Sequence, residues 1–323
     1  MSLKDFDSID RKILSELDKD ARISYSELGK RIRVAKETVK YRIAQLEKDG
    51  VINGYYTVIN FAKLGFTVYR LYIRLQNTDP KIEKEMTDYL RDAKNVSVFY
   101  RITGQFNLAL GIWARDPWEY EGFWFSFKER FGEYVSSTHL STMTEYLEFT
   151  RSYLLPSKAN GKGTFATIAK TAIERLDEVD FALLAFISNN ARAPLTQMAE
   201  KLGVSVVTAR YHLRSLVEKR VIVGFRPIID ISALGYEYYK VDIWLRDHSR
   251  TGQIRAYALS LPNVVYSERT LITSDVEIDL EVQGFDELIR IMDALRTKFP
   301  DDIKEYSYYS RVSNYKTSYI PIV

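Results

Sequence analysis

Hydrophobic positions first show order in "VAKETVKYRIAQLEKDGVI", residues 34–52. Val39, Ile43 and Leu46 recur at i, i+4 and i+7 and so share one helical face. Glu37, Tyr41, Ala44 and Lys48 lie opposite, flanked by Lys36 and Lys40 on one side and by Thr38, Arg42 and Gln45 on the other. Upstream, "DSIDRKILSELDKD" places Ile9, Ile13, Leu14 and Leu17 along one side of a helix that Asp7 can cap. A short helix around Ser26–Arg31 and a tight turn come between, Gly50 supplies a left-handed stop, and "VINGYYTVIN" reads as a small β-wing. Three helices with a short second turn and a wing predict a winged helix-turn-helix. Beyond Phe66 the period changes. "TVYRLYIRL" alternates as a strand, "PKIEKEMTDYLRDA" is helical, and "NVSVFYRIT" and "FNLALGIWA" are strands. "PWEYEGFWFSFKERF" is helical and "TMTEYLEFTRSYL" a closing strand, giving the β-α-β-β-α-β order of a ferredoxin-like domain.

The whole pattern occurs twice. Shifted by 170, residues 7–76 match 177–246 at eighteen of seventy positions without a gap, including Asp7/Asp177, Arg22/Arg192, Thr38/Thr208 and Tyr41/Tyr211. A tandem duplication follows, with the register drifting by two residues in places. The expected organisation of this α+β chain is a winged helix-turn-helix at 1–54, a ferredoxin-like domain at 55–155, a linker at 156–170 containing "PSKANGKGT", a second winged helix-turn-helix at 171–224 and a second ferredoxin-like domain at 225–323. "FATIAKTAIERL", after the linker's glycines, reads as helical.

Net charge is only +3, but its distribution is uneven. Arg22–Lys48 holds eight Lys/Arg against three Glu, and Arg192–Arg220 holds six against two, whereas 225–323 carries twelve basic against fifteen acidic residues. The two basic patches coincide with the helix-turn-helix units, an electrostatic footprint for nucleic acid. The absence of cysteine excludes disulfides and thiolate chemistry, and three histidines make a histidine metal cage unexpected. No cofactor and no metal is expected. No long apolar run or signal-peptide pattern occurs, so a cytoplasmic protein without a membrane partner is expected.

The stretch from Asp7 to Ile52 and the strand-turn-strand "YRITGQFNLAL" together resemble the Lrp/AsnC (feast/famine) family of transcription regulators, and the resemblance spans almost the whole chain, twice. It implies sequence-specific binding of double-stranded DNA through Arg33, Lys36, Thr38, Lys40, Tyr41 and Arg42 in copy one and Thr208, Arg210, Tyr211, His212 and Arg214 in copy two. It also implies a small-molecule effector near Gly104, Gln105 and Asn107, and near Ser274, Asp275 and Glu277. Asn107 stands where the family has Asp, and Ser274 where it has Gly; a neutral Asn holds an ammonium less strongly than a carboxylate. The turn glycine between helices two and three is present as Gly203 but replaced by Arg33 in copy one. A family subunit dimerises to present two reading helices; this chain carries both, so its sensing domains should pair within one molecule, with room for further homo-oligomerisation. Lys36-Glu37 corresponds to Val206-Val207, so unequal half-sites are expected.

Two alternatives stay open. Siroheme decarboxylases resemble this family and are expected to carry histidine in the sensing-domain strands; "VSVFYRITG" and "VVYSERTLIT" carry none. A protein-interaction scaffold that has lost DNA binding is the other. The aromatic helix "PWEYEGFWFSFKERF" is expected to be buried on two sides. The alternating Asp275, Glu277, Asp279 and Glu281 share one strand face and read as a solvated face or an ion-pair stripe.

Overall fold

The computed structural model describes residues 6–155, 162–271 and 274–321. In copy one, α1 (Ser8–Lys19), α2 (Tyr25–Ile32) and α3 (Lys36–Lys48) form the helix-turn-helix. Asp7 caps α1 through the N–H groups of Ile9 and Asp10, and Ser24 caps α2 through that of Glu27. Arg33 ends α2 at φ 59°, ψ 49°, the left-handed region that its counterpart Gly203 enters at φ 64° with less strain. Copy two repeats the unit as α6 (Glu178–Ile187), α7 (Leu195–Leu202) and α8 (Val206–Glu218).

The strands read as wings behave otherwise. β1 (Ile52–Ile59) pairs antiparallel with its counterpart β7 (Ile222–Ile229), so each wing strand takes its partner from the other copy. The ferredoxin-like domains follow as β2 (Thr67–Leu75), α4 (Pro80–Asp92), β3 (Val96–Ile102), β4 (Leu108–Ala114), α5 (Pro117–Phe131) and β5 (Val135–Phe149), then β8 (Glu237–Leu245), α9 (Thr251–Ser260), β9 (Val264–Thr270), β10 (Val276–Val282), α10 (Phe285–Lys298) and β11 (Ile303–Thr317). Between them lies β6 (Thr164–Ile168), which pairs with β5. The helix expected from "FATIAKTAIERL" is therefore absent: Phe165, Thr167 and Ile168 extend an open strand edge, and long-range pairing overrides the local pattern.

Two fifteen-residue strands join the domains. β5 pairs through its first half with β2 of its own copy and through its second half with β9 of the other. β11 does the same with β8 and β3. The cycle β2-β4-β3-β11-β8-β10-β9-β5 closes on itself through β2–β5, a barrel of eight antiparallel strands. Its outer face packs on the four helices of the ferredoxin-like domains through two apolar cores, one with Leu71, Ile73 and Leu110 and many aromatic rings, the other with Val241, Ile278 and Leu280. The helix-turn-helix cores are crossed: α1–α3 pack on Ile231, Leu234 and Tyr236 of copy two, and α6–α8 on Leu64, Phe66 and Val68 of copy one.

In α5, Tyr120, Phe123, Phe127 and Phe131 are buried against the sheet, while Trp118 (75% exposed) and Phe125 (54%) face outward, so within this chain one side of the helix is covered. No helix among the described residues is long and apolar enough to cross a membrane.

Candidate nucleic-acid interface

The two helix-turn-helix units are bound to each other by reciprocal contacts. Ala21 N–H donates to Phe225 O (2.8 Å) and Ala191 N–H to Tyr55 O (3.1 Å). Arg22 Nη1 donates to the carbonyls of Ala191 and Ala193, and Arg192 Nη1 to that of Ala21 (2.9 Å). Arg22 also stacks on Phe225, and Arg192 on Tyr25 and Tyr55. The "AR" pair repeated in the sequence is thus a clasp between copies, and it fixes α3 relative to α8.

Both third helices bury one face and leave the other free. Val39, Ile43 and Leu46, and in copy two Ala209 and Leu216, enter the cores. Outward stand Lys36, Lys40 and Tyr41 (62% exposed), and the matching Val206, Arg210 and Tyr211 (68%). Arg33, Lys36, Lys40 and Arg210 are exposed and have no carboxylate partner among the described residues, so their charge is free for phosphate. Thr38 and Thr208 are half-buried beside them, and Arg214 is exposed but paired with Glu218 at 2.8 Å. Ser205 caps α8, whereas Ala35 leaves the first turn of α3 without a side-chain cap.

Arg42 and His212 are turned elsewhere. Arg42 reaches Asp7 at 3.0 Å and Asp10 at 3.3 Å. His212 Nδ1 lies 2.8 Å from Asp180 and 3.9 Å from Asp177. Both residues tie the reading helix to the capping aspartates of the first helix in their own unit. Sequence periodicity places them on the flank of the outer face but does not show what stands beside that flank. Asp177, Asp180 and His212 also form a three-ligand constellation that could hold a metal; the direct Asp180–His212 contact already accounts for its geometry.

The supposed effector loops are built differently from the sequence expectation. Gly104 turns at φ 103° against Tyr308 and Tyr309, next to the exposed Gln105. Asn107 Oδ1 accepts from Leu75 N–H at 2.8 Å. In copy two Asp275 Oδ2 accepts from Leu245 N–H at 2.7 Å, while Oδ1 meets His248. The offset between copies is 170 at β2/β8 but 168 at β4/β10, because the α4 segment is longer than that of α9. Asp275 is therefore the counterpart of Asn107, and copy two keeps the carboxylate that copy one lacks. Ser274 is not the counterpart of Gly104; the position that is, 272, lies outside the described residues. Glu277 is not in the loop at all but is buried in the barrel.

The barrel interior is polar, which the sequence pattern did not reveal. Glu277, Asp279 and Glu281 are all buried. Arg70 binds Glu268 and Glu277 and Lys240 binds Glu268 (2.9 Å), Glu277 and Asp279 (3.2 Å each). The alternating carboxylates of β10 are an interior ion-pair stripe. A second network links the barrel to α1. Glu281 takes two hydrogen bonds from Arg151 (2.8 and 3.1 Å); Arg151 Nη1 and N–H reach Asp18 (2.9 and 2.6 Å); Arg226 bridges Asp18 (2.7 Å) to Glu148 (3.1 Å). Burial alone would raise the Asp18 carboxyl, but Arg226 and Arg151 hold it below the usual aspartate value. Between these networks lies a cavity of about 260 Å³.

The winged helix-turn-helix DNA-binding family profile matches residues 6–53 and 176–223. A helix-turn-helix transcriptional regulator of Pyrococcus furiosus is 38% identical over 104 residues, 32% of this chain and 69% of its own. The regulator LrpA of Pyrococcus horikoshii is 33% identical over 112 residues, 34% of this chain and 77% of its own. The siroheme decarboxylase NirDL superposes over 97% of this chain and 94% of its own with a TM-score of 0.64 at 14% identity, a likeness of fold.

Proposed function

Because the chain belongs to the Lrp/AsnC family of DNA-binding transcription regulators, we propose that it works as a single-chain pseudo-dimer that reads an asymmetric site on double-stranded DNA. The carrying observation is the reciprocal clasp of Arg22 and Arg192 together with the β1–β7 pairing, which hold two outward-facing reading helices in one frame. Lys40 and its counterpart Arg210 grip phosphate in similar docking, with Arg33 beside them in copy one, while Lys36-Glu37 and Val206-Val207 read bases differently, the valines favouring thymine methyls. The two-fold geometry of an ordinary dimer would favour a palindrome; this pair does not. Selection of bound sequences from random duplexes tests the reading. Unequal half-sites are expected, and perfect palindromes overturn it.

A small-molecule effector belongs to the same proposal, as does assembly of chains into larger oligomers, for which the uncovered Trp118 and Phe125 offer an apolar face. A second reading, an enzyme acting on a siroheme-like substrate, is favoured by the whole-chain likeness to NirDL. Against it, no histidine stands among the described residues that line the central cavity. His212 and His248 are held by carboxylates, and His139 packs beside Tyr72 and Phe106, with burial and then Arg70 lowering its basicity. Incubation with siroheme is expected to release no carbon dioxide; catalytic turnover would replace the regulator reading.

A further inference from the structure

The two halves of the barrel interior, which enclose the cavity, have diverged. At the positions of Glu277, Asp279 and Glu281 in β10, copy one carries Ala109, Gly111 and Trp113 in β4. Copy two thus lines its half with carboxylates, whereas copy one lines it with uncharged side chains, among them Tyr72, Tyr100 and Trp113.

We infer that this cavity binds a small aromatic carboxylate, with the carboxylate on Arg311 and the ring among the tyrosines. Arg311 lines the cavity from β11, flanked by the rings of Tyr238 at 4.7 Å and Tyr100 at 5.2 Å. It has no carboxylate within ion-pair distance among the described residues. The four carboxylates that line the same space are all engaged. Glu148 is held by Tyr56 and Arg226, Glu268 by Arg70 and Lys240, Asp279 by Tyr238 and Lys240, and Glu281 by Arg151 and Tyr153. An entering anion therefore meets a guanidinium whose partner is missing, and an entering cation meets carboxylates already neutralised.

A second observation points the same way. Around the space, the hydroxyls of Tyr146, Tyr266 and Tyr319 make no hydrogen bond to a described residue, and burial raises all three above the ordinary phenol value, so they stay protonated donors. The volume lies just below the roughly 300–1,000 Å³ of drug-sized pockets, which suits one or two rings. Glu148, Arg151 and Glu281 connect the wall to Asp18 of α1, so occupancy would be felt at the first DNA-binding unit; only that consequence rests on the regulator reading.

The test is titration of the full chain, without DNA, by calorimetry and Trp113-sensitive fluorescence. The probes are benzoate, 4-hydroxybenzoate, phenylpyruvate and indole-3-acetate, with benzamide and benzylamine as neutral and cationic counterparts. At least one acid should bind about tenfold or more tighter than the amide and the amine. Arg311→Gln should abolish that preference and Arg311→Lys should restore part of it. Circular dichroism checks that each variant is folded. Absence of saturable binding by every acid, equal binding of benzylamine, or an unchanged preference in Arg311→Gln would overturn the inference. A separate DNA titration of the unliganded chain keeps failure of this site distinct from failure of the regulator reading.

Discussion

Asp18→Ala removes the acceptor on which both buried guanidiniums of the α1 anchor converge. Asp18 is 1% exposed and receives Arg151 N–H at 2.6 Å, Arg151 Nη1 at 2.9 Å and Arg226 Nη2 at 2.7 Å. After truncation Arg151 keeps Glu281 and Arg226 keeps Glu148, so neither charge is wholly abandoned. Breaking a buried pair commonly costs about 3–5 kcal/mol, and these remaining partners place the expected loss near the lower end, about 3 kcal/mol. Urea unfolding followed by far-ultraviolet circular dichroism reads the loss, and hydrogen exchange should localise it to α1–α3. The copies supply an internal control. Counterparts of Asp18, Arg151 and Arg226 are Ser188, Tyr319 and Tyr56, and the two tyrosines stack with ring centres 4.3 Å apart. The triple variant Asp18→Ser, Arg151→Tyr, Arg226→Tyr should therefore recover part of the loss, Glu148 keeping the Tyr56 hydroxyl and Glu281 that of Tyr153. The pH dependence has a fixed sign. A carboxyl held below its unfolded value of about 3.8 contributes fully above that value, and the contribution disappears as pH falls through the lowered folded one. A loss below about 1 kcal/mol in Asp18→Ala, or one spread evenly over the barrel, would refute the reasoning.

Other expectations follow from the same geometry. Lys36→Ala with Lys40→Ala should flatten the log–log salt dependence of DNA binding by about one for each phosphate no longer gripped, whereas Arg42→Ala should act chiefly by loosening α3 from α1, seen as lowered stability of the free protein. Val206→Lys with Val207→Glu should move selected sites toward a palindrome, and unchanged sites would show that these positions do not read bases. Arg33→Gly relieves a left-handed residue and should stabilise the unit by up to about 1 kcal/mol in urea unfolding while weakening DNA affinity. Asp242 is raised to about 6 by burial, so its effect has the opposite sign to Asp18: the folded state holds a proton that the unfolded chain has lost, and stability falls as pH rises from about 4 to about 6. Asp242→Asn should remove that fall and leave the protein more stable than the parent at pH 7, measured as a shift in the urea midpoint.

Local information was enough for much of this chain. The spacing of Val39, Ile43 and Leu46, the cap at Asp7 and the stop at Gly50 are set within a few residues, where helical period and backbone sterics act, and the structure keeps all three. The duplication was legible because like sequences make like local choices, whereas the alignment of Arg33 with Gly203 marked an unusual turn without deciding its backbone, which the structure places in the left-handed region. What joins distant parts was not legible. A strand face buried in a polar barrel carries the same alternation as one facing water, so Glu277, Asp279 and Glu281 could not reveal that Arg70 and Lys240 lie opposite them. Helical period shows that Arg42 and His212 flank an outer face, but only packing brings Asp10 and Asp180 within reach. Arg311 and Tyr100 come together across 211 positions of sequence because β11 crosses from one ferredoxin-like domain to the other. A side chain's neighbours across a closed sheet depend on pairing register, and register is decided by the whole barrel rather than by any segment of it.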